Sequence, residues 1–300
     1  MPPLPSSFRP DKLRLAQTLA RTPWSSVVGA AERGLGLNRV IVTHGTPERY
    51  RATYAAQLDR LLERFEPLDP HRLEESLRPG AGTGTGTGAR RRAPWVAFTF
   101  DDALLGNYEV AAEELERRGA RGIFSVPVDF PAVPRAEQPA WFRAHVREEP
   151  DAEHATDEDM LAMSWEQVRD LVARGHRLAC HTASHLRIDA TTPPEALARE
   201  IAESRGRLEE LAGTTVDGFC WPVVYDPRAT EAIAVARATY SWTLITDTSP
   251  VRAGHDPLAI HRTRIEASWP VEAVDFQVSG AVDAAFVAYG LRDALRARRG

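Results

Sequence analysis

Short apolar runs alternate with longer segments whose apolar residues recur at helical spacing, and the alternation continues along most of the chain. Residues 39–43, 94–100, 123–128, 176–181, 216–221, 240–246 and 259–265 are rich in β-branched and aromatic residues and read as buried strands. Between them, residues 47–65 carry Tyr50, Tyr54, Leu58, Leu61 and Leu62 near helical spacing. Residues 107–118, 164–175, 193–211 and 228–238 read as further helices, with a shorter one at 71–77. Ser164, followed three residues later by Gln167, forms a capping box, and Pro193 and Pro194 suit a helical first turn. Strands alternating with helices imply a mainly parallel sheet with crossover helices, and about seven such units favour a closed α/β barrel over an open sheet. Residues 1–36 are expected to form an N-terminal helical extension and residues 37–300 the barrel, ending in a helical tail over 271–298.

Two segments break the pattern. Residues 79–88 form a Gly/Thr tract that lacks Gly-Lys-Ser/Thr and leads into a strand, whereas a phosphate loop leads into a helix, so it reads as a flexible surface loop. Residues 131–159, rich in proline and acidic residues, read as a long irregular insertion in which Trp141 and Phe142 serve packing.

The bulk properties narrow the function. With 43% hydrophobic and 26% charged residues the composition is that of an ordinary globular protein, and a net charge of −5 argues against nucleic acid as a partner. Two cysteines, Cys180 and Cys220, imply no disulfide framework. No stretch reaches the roughly 20 apolar residues of a membrane span, and the N-terminus lacks a basic region followed by an apolar one, so a cytoplasmic location is expected.

The candidate chemistry falls at predicted strand ends, where parallel barrels carry their active sites. Asp101 and Asp102 follow the strand at 94–100; two adjacent carboxylates there need solvation, a partner or a cation. His181 and His185 follow the strand at 176–181, and a spacing of four puts both imidazoles on one face of a helical turn. One Asp and two His suit Zn²⁺ or a similar divalent ion, with coordination positions left for water and substrate. The other Asp is then free to act as a base. His44 ends the first strand, and Trp221 and Pro222 close another. Cys180 should face the opposite side of its strand from His181 and stay buried.

These residues carry a resemblance. Thr99-Phe100-Asp101-Asp102 with Asn107-Tyr108, His181-Thr182-Ala183-Ser184-His185, and Phe219-Cys220-Trp221-Pro222 resemble, in order, three motifs of the polysaccharide deacetylases, the NodB-homology group of carbohydrate esterase family 4. Val42-Thr43-His44 is similar to the Leu-x-His motif of the circularly permuted members, where it comes first. The resemblance implies a deformed (β/α)7 barrel and metal-dependent removal of acetyl from an N-acetylated sugar or glycan precursor. It implies that Asp102, His181 and His185 hold one divalent ion, with Zn²⁺ expected, that Asp101 is the general base and that His44 is the general acid. Trp221, Pro222 and the backbone N–H of Val223 would meet the substrate or the oxyanion, and His261, near the end of a strand, is the alternative acid.

Ala103 stands where the family has glycine, and Cys220 and Val223 replace its arginine and tyrosine. A positive φ at Ala103 would strain that backbone. Asp247 and Arg262 are candidate polar neighbours of the site. Two other readings stay open on the sequence: a glycan-binding protein on an impaired deacetylase barrel, and a hydrolase of a non-sugar amide such as a cyclic imide or ureide.

Overall fold

The structure, a computed structural model, describes residues 37–81, 94–146, 155–223 and 225–278. The expected N-terminal helix, most of the Gly/Thr tract and the tail beyond residue 278 lie outside the described residues.

The described residues form eight parallel strands: β1 (Arg39–Thr43), β2 (Glu66–Pro67), β3 (Trp95–Phe100), β4 (Gly122–Val126), β5 (Arg177–Cys180), β6 (Gly218–Cys220), β7 (Trp242–Thr246) and β8 (Ile260–Arg264). β3 to β8 pair in sequence order, and β1 pairs with both β3 and β8, which closes a seven-stranded barrel. β2, a two-residue strand with no sequence signal, pairs with the start of β3 outside that ring. Seven parallel strands with crossover helices form the deformed (β/α)7 barrel expected from the sequence.

Strand side chains alternate between two cores, as a period of two dictates. Val40, Ala97, Ile123, Ala179, Cys220, Trp242, Leu244 and Ile260 form the inner cluster. Ile41, Phe98, Phe100, Phe124, Leu178, Phe219 and Ile245 belong to the cluster shared with the helices. Cys180 lies in that outer layer with its thiol against Ser204 Oγ, on the opposite side from Cys220.

The packing of β6 against β7 depends on the absence of a side chain at Gly218. A Cβ there would come within 2.0 Å of the ring of fully buried Trp242. Gly218→Ala is therefore expected to cost about 1–3 kcal/mol by overpacking, read as a lower urea midpoint at unchanged m-value.

The helices follow the sequence reading with local differences. Arg51–Leu62 buries Tyr54, Leu58 and Leu61, and Trp165–Ala173 starts with the Ser164/Gln167 capping box. Two helices contain π-helical segments, Asn107–Ala112 and Ala198–Glu203, each leading into the tip of a functional motif or clamping it. The described parts of the insertion at 131–159 are not irregular as expected. They contain a helix, Gln138–His145, and a capped turn, Asp157–Met160, which pack Phe142 and Met160 with Phe130 and Leu104. Trp141 stacks on Phe130 with ring centroids 4.5 Å apart, so a packing contact holds it. Among the described residues no helix is long and apolar enough to cross a membrane.

Candidate metal and catalytic site

The tips of β1, β3, β5 and β6 converge at one end of the barrel. Asp101 N–H donates to Thr43 O at 3.3 Å, and Asn107 Nδ2 donates to the carbonyls of His44 (2.6 Å) and Asp101 (3.2 Å). Asn107 thus ties the β1 tip to the β3 tip.

Asp102 is buried, and neither carboxylate oxygen has a hydrogen-bond donor. Its Oδ1 faces His181 Nε2 at 3.4 Å and His185 Nε2 at 3.2 Å. Ligand bonds of about 2.0–2.1 Å in tetrahedral geometry put neighbouring donors about 3.4 Å apart, so these separations are those of donors arranged around a shared ion. The imidazoles are oriented for that purpose. His181 Nδ1 lies 2.8 Å from Cys220 O and His185 Nδ1 lies 3.1 Å from His145 O. A carbonyl only accepts, so each Nδ1 carries a proton, which leaves Nε2 as the nitrogen through which each imidazole could ligate a metal. The buried, undonated carboxylate and the two Nε2 atoms fit a divalent cation.

The sequence reading put the two histidines on a helical turn. In the structure 181–185 is an irregular loop, with Thr182 at φ 66° and His185 at φ 60°. What shapes it is Glu200, buried in the π-helical segment, whose carboxylate accepts from the N–H groups of Ala183 (3.0 Å) and Ser184 (2.9 Å) and from Ser184 Oγ (2.9 Å). Among the described residues, non-glycine residues with positive φ are confined to these tips: Asp102 (70°), Ala103 (51°), Thr182, His185 and Val223 (59°). The strain expected at Ala103 is present, and Val223, being β-branched, is the costlier outlier.

Asp101 is also buried, and its surroundings keep it ionised. Burial opposes the charge, but the Arg262 guanidinium and the neighbouring His181 outweigh it and hold the carboxyl well below the usual carboxylate range. Arg262, fully buried on β8, donates from Nη1 to Asp101 Oδ1 at 2.8 Å. It supplies from another strand the cationic contact that Cys220 cannot make. Cys220 donates its thiol to the same oxygen at 3.4 Å.

His44 faces the cluster from β1, close enough that the charges of Asp101 and Asp102 are coupled to its own. Its Nδ1 lies 3.0 Å from Glu266 Oε1, and a fifth of its side chain remains open to solvent (20%). Burial disfavours the imidazolium, yet the Glu266 carboxylate overrides it and raises the His44 pKa. Glu266 is in turn held by Arg264 at 2.6 Å. Sequence reasoning missed Glu266. A cavity of about 340 Å³ adjoins this side, lined by Gly45, Thr46, Leu104, Leu105, Phe142 and Glu266 among others.

The alternative acid is misplaced. His261 lies on the strand face away from Arg262, paired with Asp247 at 3.1 Å and packed edge-on against His255. Alternation along β8 sends Arg262 inward and His261 outward, so His261 and Asp247 stay out of the cluster. Trp221 is nearly buried at the β6 tip, with its indole N–H lacking an acceptor, and Pro222 and Val223 follow it.

A parallel barrel with a buried Asp/His/His set and a second Asp at its strand tips is an arrangement that could serve metal-assisted hydrolysis. The sequence profile described as polysaccharide deacetylase matches residues 88–240, and the chain belongs to that family, whose enzymes hydrolyse N-acetyl amide bonds of glycans. Solved structures with the same fold include the Streptococcus pyogenes deacetylase PplD in complex with acetate, 17% identical over 79% of this chain and 96% of that one, TM-score 0.56. IcaB from Ammonifex degensii is 21% identical, covering 81% and 97%, TM-score 0.57. The polysaccharide deacetylase BC0361 from Bacillus cereus is 16% identical, covering 80% and 68%, TM-score 0.58. No curated protein sequence matches the chain significantly.

Proposed function

We propose that this chain removes acetyl from an N-acetylated sugar or glycan precursor, with Asp102, His181 and His185 holding one divalent ion, Zn²⁺ by the N₂O donor set. The observation that carries the reading is the buried, donor-free Asp102 carboxylate facing two Nε2 atoms at tetrahedral spacing, beside an ionised Asp101. Bound there, the ion supplies Lewis acidity for the acetyl carbonyl. Asp101 accepts the proton of the attacking water. His44, protonated under the influence of Glu266, delivers a proton to the departing amine nitrogen. The Val223 N–H donates to the oxygen on which charge develops, while Trp221 and Pro222 border the sugar. The seat of β1 between β3 and β8 supports reading the chain as a circularly permuted member, with the His motif opening the barrel. The Arg262–Asp101 contact supports turnover over the impaired, glycan-binding alternative, because it restores what the substitution at Cys220 removes. The reading is tested by acetate release from N-acetylated mono- and oligosaccharides alongside a panel of cyclic imides and ureides, with Zn²⁺ restored after chelation. Turnover of the non-sugar panel alone would reassign the substrate.

The His44–Glu266 pair predicts the alkaline limb. A general acid must be protonated, so activity persists above the ordinary histidine pKa of 6.5 and is lost as pH rises through the raised value of His44. Glu266→Gln removes the charge that raises it, and the alkaline limb of kcat is expected to move to lower pH. An unmoved limb would exclude His44 as the acid.

A further inference from the structure

Beside the Asp102/His181/His185 set stands a second trio of buried donors, Asp101, His181 and Cys220, whose ligand atoms also lie within 4.8 Å of one another. Cys220 Sγ and Asp101 Oδ1 are 3.4 Å apart. Bonds of about 2.3 Å to sulfur and 2.0 Å to oxygen put tetrahedral neighbours about 3.5 Å apart, so the pair is spaced for one ion. The two trios share His181. Its Nδ1 is committed to Cys220 O, so both draw on the single Nε2, and one ion occupies one position or the other.

What separates them is chemistry. The first trio has no sulfur and no cation on its carboxylate; the second has a thiol, and Arg262 Nη1 sits on Asp101 Oδ1 at 2.8 Å. A hard ion entering the second position meets that guanidinium and gains nothing from sulfur, while Zn²⁺ has in the first position an N₂O set free of that repulsion. A thiophilic ion gains a thiolate bond that offsets the repulsion. We infer that Asp101, His181 and Cys220 form an inhibitory position for thiophilic divalent cations such as Cd²⁺, whose occupation ties up Asp101. This takes from the proposed function only that Asp101 is the base. On binding, the Cys220 S–H bond breaks, its proton goes to solvent and a sulfur–metal bond forms, with no change of oxidation state.

The test is titration of the chelated full-length chain with Cd²⁺, followed by ultraviolet absorption. A thiolate-to-metal charge-transfer band is expected in the wild type and in Cys180→Ser, and is expected to vanish in Cys220→Ser while that variant still binds Zn²⁺ stoichiometrically. Should Cys220→Ser fail to fold, Arg262→Gln provides the second arm. With the competing charge removed, Cd²⁺ affinity read from the same band should rise by roughly tenfold or more. No band in the wild type, a band unchanged in Cys220→Ser, or unchanged affinity in Arg262→Gln overturns the site. The readout is independent of turnover: a chain that shows the band without releasing acetate refutes the reaction and leaves this position standing.

Discussion

Asp101→Asn is expected to reduce acetate release by about 10³-fold or more, within the range for losing a positioned base, with Zn²⁺ content unchanged. The side chain keeps its shape and place on the β3 tip and loses only the proton acceptor. Arg262 then faces a neutral amide within the barrel, which leaves a buried guanidinium without its counterion. The substitution should therefore also lower stability, by about 3 kcal/mol if the loss matches that of other broken buried pairs. Steady-state kinetics with metal analysis on the same sample separates the two effects: full metal occupancy with lost kcat is the signature of a missing base. Wild-type turnover in this variant would remove Asp101 from the mechanism.

Asp102→Asn is expected to abolish activity by another route. It leaves one neutral oxygen opposite two imidazoles and removes the only carboxylate of the Asp102/His181/His185 trio. Metal affinity should fall by more than about 100-fold, beyond the usual effect of outer-shell changes, and excess Zn²⁺ should recover activity poorly. In the wild type, chelation should remove activity and Zn²⁺ should restore it. A variant that retains stoichiometric metal would show that the ion is held elsewhere.

Much of this site was legible in the sequence because its parts are local. Asp101-Asp102 and His181 to His185 each sit at the end of an apolar run, and strand period alone put Cys180 on the opposite face from His181. What was not legible depends on pairings across the chain. Glu266 meets His44 across 222 positions, and no local pattern links them. A signal did exist in β8: Arg262 and Arg264, two apart on a buried parallel strand, are charges that must find partners inside the barrel. His261 ranks below His44 in the sequence, and its place on the outward face of β8, paired with Asp247, keeps it out of the cluster. The histidine loop was misread as helical because spacing of four satisfies a helix and also satisfies this strained loop. The carboxylate that shapes it, Glu200, lies in a helix whose sequence reads as an ordinary solvated face.

β1 has a consequence for how the protein is made. Synthesised before the other described strands, it finds β3 soon afterwards, but its other edge has no partner until β8 has been synthesised, more than 200 residues later. Through that interval the nascent chain carries an open sheet edge and a His44 without its Glu266 partner. Closure of the cylinder and arming of the imidazole are then a single late event, and slowing translation before β8 would prolong exposure of that edge to chaperones and to self-association.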